Sequence, residues 1–275
     1  MSTTTKTSKT EHRITVRSLE RFKSANQPIT MMTAYDFCFA QLFDRAGIDV
    51  LLVGDSLANV VQGRETTLPV TCEEMIYHTK MVSRGASRSL VVADMPFGSY
   101  QGALTEGVQN AIALVKEGGA HAVKLEGGRS MHEVIARIVG AEIPVMGHVG
   151  LTPQSVHKMG GYRVQGRGIT GRERIIEDAR AVQEAGAFAV VLEGVPQDLA
   201  AAITDELVIP TIGIGAGVEC DGQVLVMHDL LGLNEGAPSF VKQYARLGAE
   251  TLKATRNFID EVRERKFPDP EHSYE

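Results

Sequence analysis

Short apolar runs alternate with longer amphipathic stretches along most of this chain. Eight such runs occur, at 28–36, 50–56, 90–97, 121–127, 143–150, 188–195, 209–217 and 222–230. Strands that are buried on both faces are rich in Val, Ile and Leu, and strands that alternate with helices form parallel sheets. The pattern therefore predicts an α/β protein whose βα units close into a single-domain (β/α)8 TIM barrel. A doubly wound open sheet is the alternative.

Signals at helix ends support the same repeat. Thr71 with Glu74, and Ser130 with Glu133, have the spacing of a capping box, which predicts that helices begin there. The segments RAGIDV, KEGGAHAV and EAGAFAV each place glycine just after a helical stretch and before an apolar run. A long amphipathic helix is also predicted over 239–266.

One segment departs from the repeat, and the two ends differ from the middle. Residues 151–172 form a long connection that is rich in glycine and basic residues. Such a connection favours a lid that covers a functional site, and a solvated loop is the alternative. Residues 1–12 are predicted to be a disordered polar arm, 13–266 a catalytic barrel, and 267–275 an acidic tail.

Four of the apolar runs end in a carboxylate, at Asp55, Asp94, Glu126 and Glu193. The intervals are 39, 32 and 67 residues, and a barrel of this type uses about 31 residues per βα unit. The four acids are thus expected on strands two, three, four and six. Active sites of such barrels lie at the C-terminal ends of the strands, so the spacing predicts an enzyme.

The first three acids lie on consecutive predicted strands, where their side chains can converge. Carboxylates so close repel one another unless a cation or protons compensate. Hard oxygen ligands without a cysteine or histidine pair favour Mg²⁺, with Mn²⁺ as the other possible ion. The alternative to a metal site is that these acids cap the helices that follow the strands. Lys124 points to the same side as Glu126 and either balances charge or binds an anionic substrate.

The remaining candidates lie on later strands. Glu193 is expected across the barrel mouth, where a base can remove a proton from the carbon next to a carbonyl. His148 ends the strand before it and is either a donor at the rim or a structural histidine. The glycine-rich GIGAG at 213–217 either binds phosphate or leaves space for a flat ligand.

The composition of the chain excludes several classes of binding partner. A net charge of −6 argues against nucleic acid and anionic membranes, and no apolar run reaches the about 18 residues of a membrane span. The N-terminus lacks the apolar core of a secretory signal, and the three cysteines lie too far apart for a disulfide framework or a zinc site. We therefore expect a cytoplasmic protein that acts on small molecules.

Taken together, these motifs resemble the ketopantoate hydroxymethyltransferase family. The resemblance covers roughly residues 12–266. The sequence departs from the family at Ala58, where glycine is usual, but this position is not one of the candidate metal, lysine or base positions. It is carried by TAYD (33–36), VLLVGDSLANVVQG (50–63), TLPVT (67–71), VVADMPFGSYQ (91–101), VKLEGG (123–128), GHVGLTPQ (147–154), LEGVP (192–196), GIGAGVECDGQVLVMHDLLGL (213–233) and SFVKQYA (239–245).

The resemblance implies a fold, an assembly and a set of residue roles. The family has a (β/α)8 barrel of the phosphoenolpyruvate/pyruvate type and often forms decameric homo-oligomers. Glu193 matches the family's proton acceptor. The other matches are Asp55, Asp94 and Glu126 as Mg²⁺ ligands and Asp55, Ser56, Asp94 and Lys124 as contacts of the 2-oxo acid, to which we add His148 as a rim donor.

The implied reaction transfers a hydroxymethyl group from 5,10-methylenetetrahydrofolate to 3-methyl-2-oxobutanoate, and belongs to pantothenate biosynthesis. Magnesium would stabilise an enolate that forms when Glu193 removes the C3 proton, and the product would be 2-dehydropantoate (ketopantoate). We also expect the basic residues Lys158, Arg163 and Arg167 to attract the glutamate tail of the folate.

Three rival interpretations remain at this point. A Mg²⁺-dependent C–C lyase acting on 2-oxo acids is the nearest, although the KKCGH-type loop of isocitrate-lyase-like enzymes does not occur in this sequence. A phosphate-binding barrel synthase would use GIGAG but would not require the carboxylate cluster. A non-catalytic ligand-binding barrel is the third possibility, but it does not explain why several charged groups are clustered at an energetic cost.

Overall fold

The computed structural model describes residues 13–234 and 236–274, so the predicted arm at 1–12 lies outside the described residues. Short 3₁₀ turns occur at Arg129–Met131, Pro153–Ser155 and Pro270–His272. The strands are β1 (Ile29–Thr33), β2 (Val50–Val53), β3 (Leu90–Asp94), β4 (Ala122–Glu126), β5 (Val145–Gly150), β6 (Ala189–Glu193), β7 (Thr211–Ile214) and β8 (Gly222–Leu225). The helices are α1 (Val16–Ser24), α2 (Phe37–Ala46), α3 (Leu57–Val60), α4 (Cys72–Gly85), α5 (Leu104–Lys116), α6 (His132–Val139), α7 (Val156–Met159), α8 (Gly168–Glu184), α9 (Gln197–Glu206), α10 (Met227–Leu230) and α11 (Leu247–Arg263).

The eight strands form one closed parallel barrel in the order of the chain, which confirms the predicted (β/α)8 fold. The open-sheet alternative is therefore wrong. Each predicted apolar run contains a strand, but the strands are shorter than the runs because the chain leaves the sheet at the rim. After β2, for example, Asp55 and Ser56 already lie in a turn, and the end of the last run forms α10.

The core of the barrel is built from alternate positions along the strands. The buried cluster includes Ile29 and Met31 of β1, and equivalent pairs two residues apart come from β2, β3 and β6. Because successive side chains of a strand point to opposite faces, this spacing places one side of every strand in the interior. Ile14 and Leu19 of the first helical segment join the same cluster.

The predicted helix ends are only partly confirmed. Thr71 and Glu74 form the capping box of α4, and Gly47 adopts a left-handed conformation that ends α2. The capping box at Ser130 is wrong, because α6 begins at His132 after a 3₁₀ turn. There the carboxylate of Asp178 on α8 accepts the N–H of Arg129, so a neighbouring helix supplies the polar partner.

The segment 151–172 is more structured than a plain connection. It contains the 3₁₀ turn Pro153–Ser155 and α7, and α8 begins within it at Gly168. Two main-chain bonds attach it to the end of β6: Leu151 N donates to Glu193 O at 2.8 Å, and Gln165 N donates to Gly194 O at 2.9 Å. We call residues 151–172 the bridge; both of these hydrogen bonds hold it beside the end of β6.

The part of the chain from Leu225 onward forms a compact unit of its own. The predicted helix over 239–266 is wrong at its start, because α11 begins at Leu247. The N–H groups of Tyr244, Leu247 and Gly248 donate to the carbonyls of residues 230–232, which holds the start of α11 and the residues before it against the end of α10. Within the described residues, no helix has the length and hydrophobicity that a membrane crossing requires.

The loop before β3 is organised by one buried carboxylate, Asp44 of α2. It accepts hydrogen bonds from the main-chain N–H groups of Ser87, Arg88 and Ser89 and from the Ser87 hydroxyl, at 2.6 to 3.3 Å. Burial raises the pKa of Asp44, but the hydrogen bonds from Ser87 and Ser89 outweigh this and lower the pKa to about 2.

We expect Asp44→Asn to lower the free energy of unfolding by about 1–3 kcal/mol at pH 7. The substitution replaces one accepting oxygen by an NH₂ group, which cannot accept the hydrogen bonds that the main chain of residues 87–89 donates. A depressed carboxyl pKa stabilises the fold above the unfolded pKa of about 4, and the benefit disappears as the pH falls toward 2. Urea unfolding of both proteins between pH 7 and pH 2 tests this. The exposed Asp205→Asn is the control, and equal wild-type and Asp44→Asn stabilities at pH 7 would refute the role.

Candidate active site

The candidate residues continue the interior face of the barrel toward its C-terminal rim. On β3, Asp94 follows the core residue Val92 by two positions, and on β6 Glu193 follows Val191 in the same way. A two-residue step keeps a side chain on the same face of a strand, so these acids lie above the apolar core.

Strand register brings the remaining candidates beside them. Asp94 is paired with Lys124 of β4, and Glu126 at the end of β4 is paired with His148 of β5. All four side chains are almost completely buried. The residues that were predicted from strand ends therefore share one space at one end of the barrel.

The first three acids form a buried cluster with a single ammonium group. Lys124 Nζ lies 2.8 Å from Asp94 Oδ1, and the other oxygen of Asp94 accepts the N–H of Asp55 at 3.0 Å. These acids do not cap helices: the N-cap residues of α3, α5 and α6 are Ser56, Ala103 and Met131. The helix-cap interpretation is therefore wrong.

The cluster is short of positive charge. Burial and the charge of Asp94 raise the pKa of Asp55 to about 7, and burial and the charge of Asp55 raise the pKa of Glu126. Burial alone would lower the pKa of Lys124, but the nearby carboxylates, Asp94 first, raise it above its usual value. The lysine is thus firmly protonated, and it does not balance three carboxylates.

This donor set fits a hard divalent cation such as Mg²⁺. Such an ion takes oxygen ligands, needs only one or two carboxylates, and keeps several water molecules. Among residues 13–234 and 236–274, no group of three or more Asp, Glu, His or Cys side chains is close enough to hold a metal as it stands. Asp55, Asp94 and Glu126 thus offer the oxygen atoms that such an ion takes, but they do not form a complete protein cage.

Glu193 is joined to this cluster by His148. The imidazole Nε2 lies 3.2 Å from Glu193 Oε2, and Nδ1 lies 3.3 Å from Lys124 Nζ. Burial, helped by the charge of Lys124, lowers the pKa of His148, so the ring is neutral. Because an ammonium group only donates, Nδ1 accepts and Nε2 carries the proton that faces Glu193.

The spacing of the acids along the chain predicted that Glu193 lies across the barrel mouth from the first three. That position is opposite β2, which precedes Asp55, but it is only two strands from Glu126. The Glu193 side chain is 18% exposed, whereas that of Glu126 is 4% exposed. The fourth acid therefore differs from the first three in its access to solvent.

Ser56 is fixed by a tyrosine that the sequence analysis did not single out. The Ser56 hydroxyl lies 2.8 Å from the hydroxyl of Tyr35, and the main-chain carbonyl of Tyr35 lies 2.7 Å from His78 Nδ1. Burial raises the pKa of the Tyr35 phenol, so it remains protonated. Tyr35 follows β1 in the TAYD motif, which was the only signal in the sequence.

Gln154 and Tyr100 were also missed, although both lie in motifs of the family resemblance. The Gln154 amide donates to Asp55 Oδ2 at 2.9 Å, and its main-chain N–H donates to Glu126 Oε2 at 2.9 Å. Tyr100 donates to Gln154 Oε1 at 2.6 Å and accepts the N–H of Glu126 at 3.0 Å. Polar residues of two separate loops thus complete the surroundings of the acids.

The glycines of GIGAG pack against the protein itself at two positions. A Cβ at Gly213 would lie 3.0 Å from Cys220 Sγ, and one at Gly217 would lie 2.5 Å from Cβ of Gln197. Close packing of the chain therefore accounts for glycine at both positions. This arrangement weakens the interpretation of the motif as a phosphate site.

The fold and the buried acidic rim define a (β/α)8-barrel enzyme. Solved structures support the fold: phosphonopyruvate hydrolase in complex with oxalate and Mg²⁺ is 12% identical with a TM-score of 0.61, and the alignment covers 94% of this chain and 92% of that one. A 2,3-dimethylmalate lyase of the PEP mutase/isocitrate lyase superfamily is 16% identical with a TM-score of 0.59, covering 94% and 88%.

Sequence relatives specify the family. A model of ketopantoate hydroxymethyltransferase matches residues 13–270. Proteins named 3-methyl-2-oxobutanoate hydroxymethyltransferase are 57% identical in Moorella thermoacetica, covering 95% of this chain and 98% of the relative, and 55% identical in Carboxydothermus hydrogenoformans, covering 95% of both. The chain belongs to the ketopantoate hydroxymethyltransferase family, and it is a transferase.

We expect Lys124→Met to lower the free energy of unfolding by about 3 kcal/mol or more, because it leaves the buried acids without their cation. Urea unfolding at neutral pH in the presence of a chelator measures the effect. The exposed Lys116→Met should stay within about 0.5 kcal/mol of the wild type. Equal losses for both variants would mean that Lys124 does not balance the cluster.

Proposed function

We propose that this transferase moves a hydroxymethyl group from 5,10-methylenetetrahydrofolate to 3-methyl-2-oxobutanoate, giving 2-dehydropantoate (ketopantoate) for pantothenate synthesis. The names of close relatives state the acceptor and the group transferred. The observation in the structure that carries the proposal is the split among the four rim acids. Three are buried around one lysine, whereas the Glu193 carboxylate is more exposed and lies 3.2 Å from Nε2 of a neutral histidine.

Glu193 is the base in this proposal. It would remove the C3 proton of the keto acid, and charge would develop on the keto oxygen of the resulting enolate. His148 lies 3.2 Å from this carboxylate and can orient it through Nε2–H. Burial lowers the pKa of His148, so the ring is neutral and has no extra proton to transfer to Glu193. Water would cleave the two C–N bonds of the folate's methylene group, releasing tetrahydrofolate and the one-carbon unit as formaldehyde. The enolate carbon would then attack the formaldehyde carbon, and its oxygen, which comes from water, would take up a proton and become the new hydroxyl.

The buried rim residues bind and orient the keto acid. Lys124 and the Ser56 hydroxyl are donors for its carboxylate and keto oxygens, and Tyr35 fixes the hydroxyl of Ser56. Asp55, Asp94 and Glu126 would hold Mg²⁺, with Mn²⁺ as the alternative. The bound cation would supply Lewis-acid polarisation of the keto oxygen.

The bridge at 151–172 is the part of the rim that suits the folate. Lys158, Arg163 and Arg167 are all exposed on it, and Gln165 holds it next to Glu193. Its basic side chains would attract the anionic glutamate tail of the cofactor. A homo-oligomer, with a decamer as the form that the resemblance implies, and a cytoplasmic location stay predictions.

The nearest alternative is a C–C lyase that acts on 2-oxo acids. Family membership favours group transfer over cleavage, because the matching family model and the close relatives carry the transferase name. The lyase and hydrolase structures share only the fold with this chain.

Replacement of the base gives the most direct test. Proton NMR of 3-methyl-2-oxobutanoate in D₂O with Mg²⁺ should show loss of the C3 proton signal with the wild-type protein. We expect Glu193→Gln to slow this exchange by about 10²–10⁴-fold while the keto acid still binds, because general-base catalysis is lost. The exposed Glu117→Gln is the matched control and should exchange normally. Exchange at the wild-type rate in Glu193→Gln would remove Glu193 from the role of base.

Charge reversal tests the folate contact. We expect the triple variant Lys158→Glu, Arg163→Glu, Arg167→Glu to raise the KM for the folate about three- to tenfold at low salt, because three exposed attractions become repulsions. The difference should shrink in high salt, while the KM for the keto acid stays unchanged. Lys116→Glu, on the exposed face of α5, is the control. An unchanged folate KM in the triple variant would exclude this contact.

A further inference from the structure

Gln154 makes an unusually complete set of contacts for a residue in a turn. It lies in the 3₁₀ turn that follows β5, and only 6% of it is exposed. Its amide nitrogen donates to Asp55 Oδ2 at 2.9 Å and to the carbonyl of Met95 at 3.0 Å. Its main-chain N–H donates to Glu126 Oε2 at 2.9 Å. One residue of the 151–172 bridge therefore contacts the loops that follow β2 and β3 and the last residue of β4.

The orientation of the amide is determined by its partners. Tyr100 and the amide nitrogen of Gln101 both donate to Gln154 Oε1, at 2.6 and 3.1 Å. An amide oxygen accepts and an amide nitrogen donates, so the nitrogen must face Asp55. The Tyr100 hydroxyl is itself placed by the N–H of Glu126, which donates to it at 3.0 Å. The acids and the glutamine thus fix one another's positions.

These donors are electrically neutral, and this distinguishes Gln154 from Lys124. They hold one oxygen each of Asp55 and Glu126 without adding positive charge to the cluster. A lysine or arginine at this place would satisfy the acids and reduce their attraction for a cation. A glutamine keeps the carboxylates ordered and leaves the deficit of positive charge in place.

We infer that Gln154 is a positioning residue, which holds Asp55 and Glu126 in the arrangement that receives the divalent cation. The inference rests on the proposed function, since it concerns the cation proposed there. Gln154 acts through the two carboxylates, and Tyr100 acts through Gln154 and through the main chain of Glu126. Partners that orient metal ligands change metal affinity by about 10- to 100-fold when they are removed.

The test measures metal binding without turnover. Mn²⁺ alone is titrated into metal-free protein, and free Mn²⁺ is followed by electron paramagnetic resonance. We expect Gln154→Ala to raise the Kd for Mn²⁺ by about 10- to 100-fold, and Tyr100→Phe to raise it by a smaller factor. The exposed Gln109→Ala on α5 is the matched control and should bind as the wild type does.

A structural role alone would give a different result. It would lower the melting temperature and the number of binding sites per chain, but the folded fraction would keep the wild-type Kd. In the double variant, the increase in Kd should be smaller than the product of the two single effects, because the Tyr100 hydroxyl acts in part through the glutamine. If Gln154→Ala fails to fold, the smaller shift in Tyr100→Phe carries the test.

The outcomes separate this inference from the proposed function. A wild-type protein that binds Mn²⁺, with a Gln154→Ala Kd within twofold of it, overturns the positioning role and leaves the proposed function standing. A wild-type protein that binds neither Mn²⁺ nor Mg²⁺ overturns the proposed cation and the inference together.

Discussion

The imbalance of charge at the rim is the constraint on which the site depends. Asp55, Asp94 and Glu126 are buried with one lysine, and the raised pKa values of Asp55 and Glu126 show that full ionisation is costly there. Such a cluster gains stability from a further cation. Neutral donors surround the acids instead, so the site stays ordered and acidic. This deficit is also what distinguishes a binding site from a closed network of ion pairs.

The alternation of side chains in the barrel connects this site to the core. The same face of β3 carries Val92 in the apolar cluster and Asp94 at the rim, and β6 repeats the arrangement with Val191 and Glu193. A shift of one residue in either strand would turn both the core side chain and the acid to the outer face. The packing of the core therefore sets the positions of the catalytic candidates.

The sequence was sufficient for the features that repeat along the chain. Acids at strand ends could be located because buried strands are short and apolar, so Asp94 and Glu126 mark where they stop. Contacts between distant loops could not be predicted in this way: Gln154 reaches Asp55 across 99 positions of the chain. The expected helix start at Ser130 failed for the same reason, since its polar partner comes from another helix.

The bridge at 151–172 is attached to the rim at its two ends, through Leu151 and Gln154 at one and Gln165 at the other. The exposed stretch between these attachments contributes no side chain to the buried apolar cluster of the barrel. The hydrogen bonds of Gln154 with the acids involve none of the residues of this stretch. If the bridge binds the second substrate as proposed, that substrate can be changed by altering this stretch alone, while the residues at the strand ends stay the same.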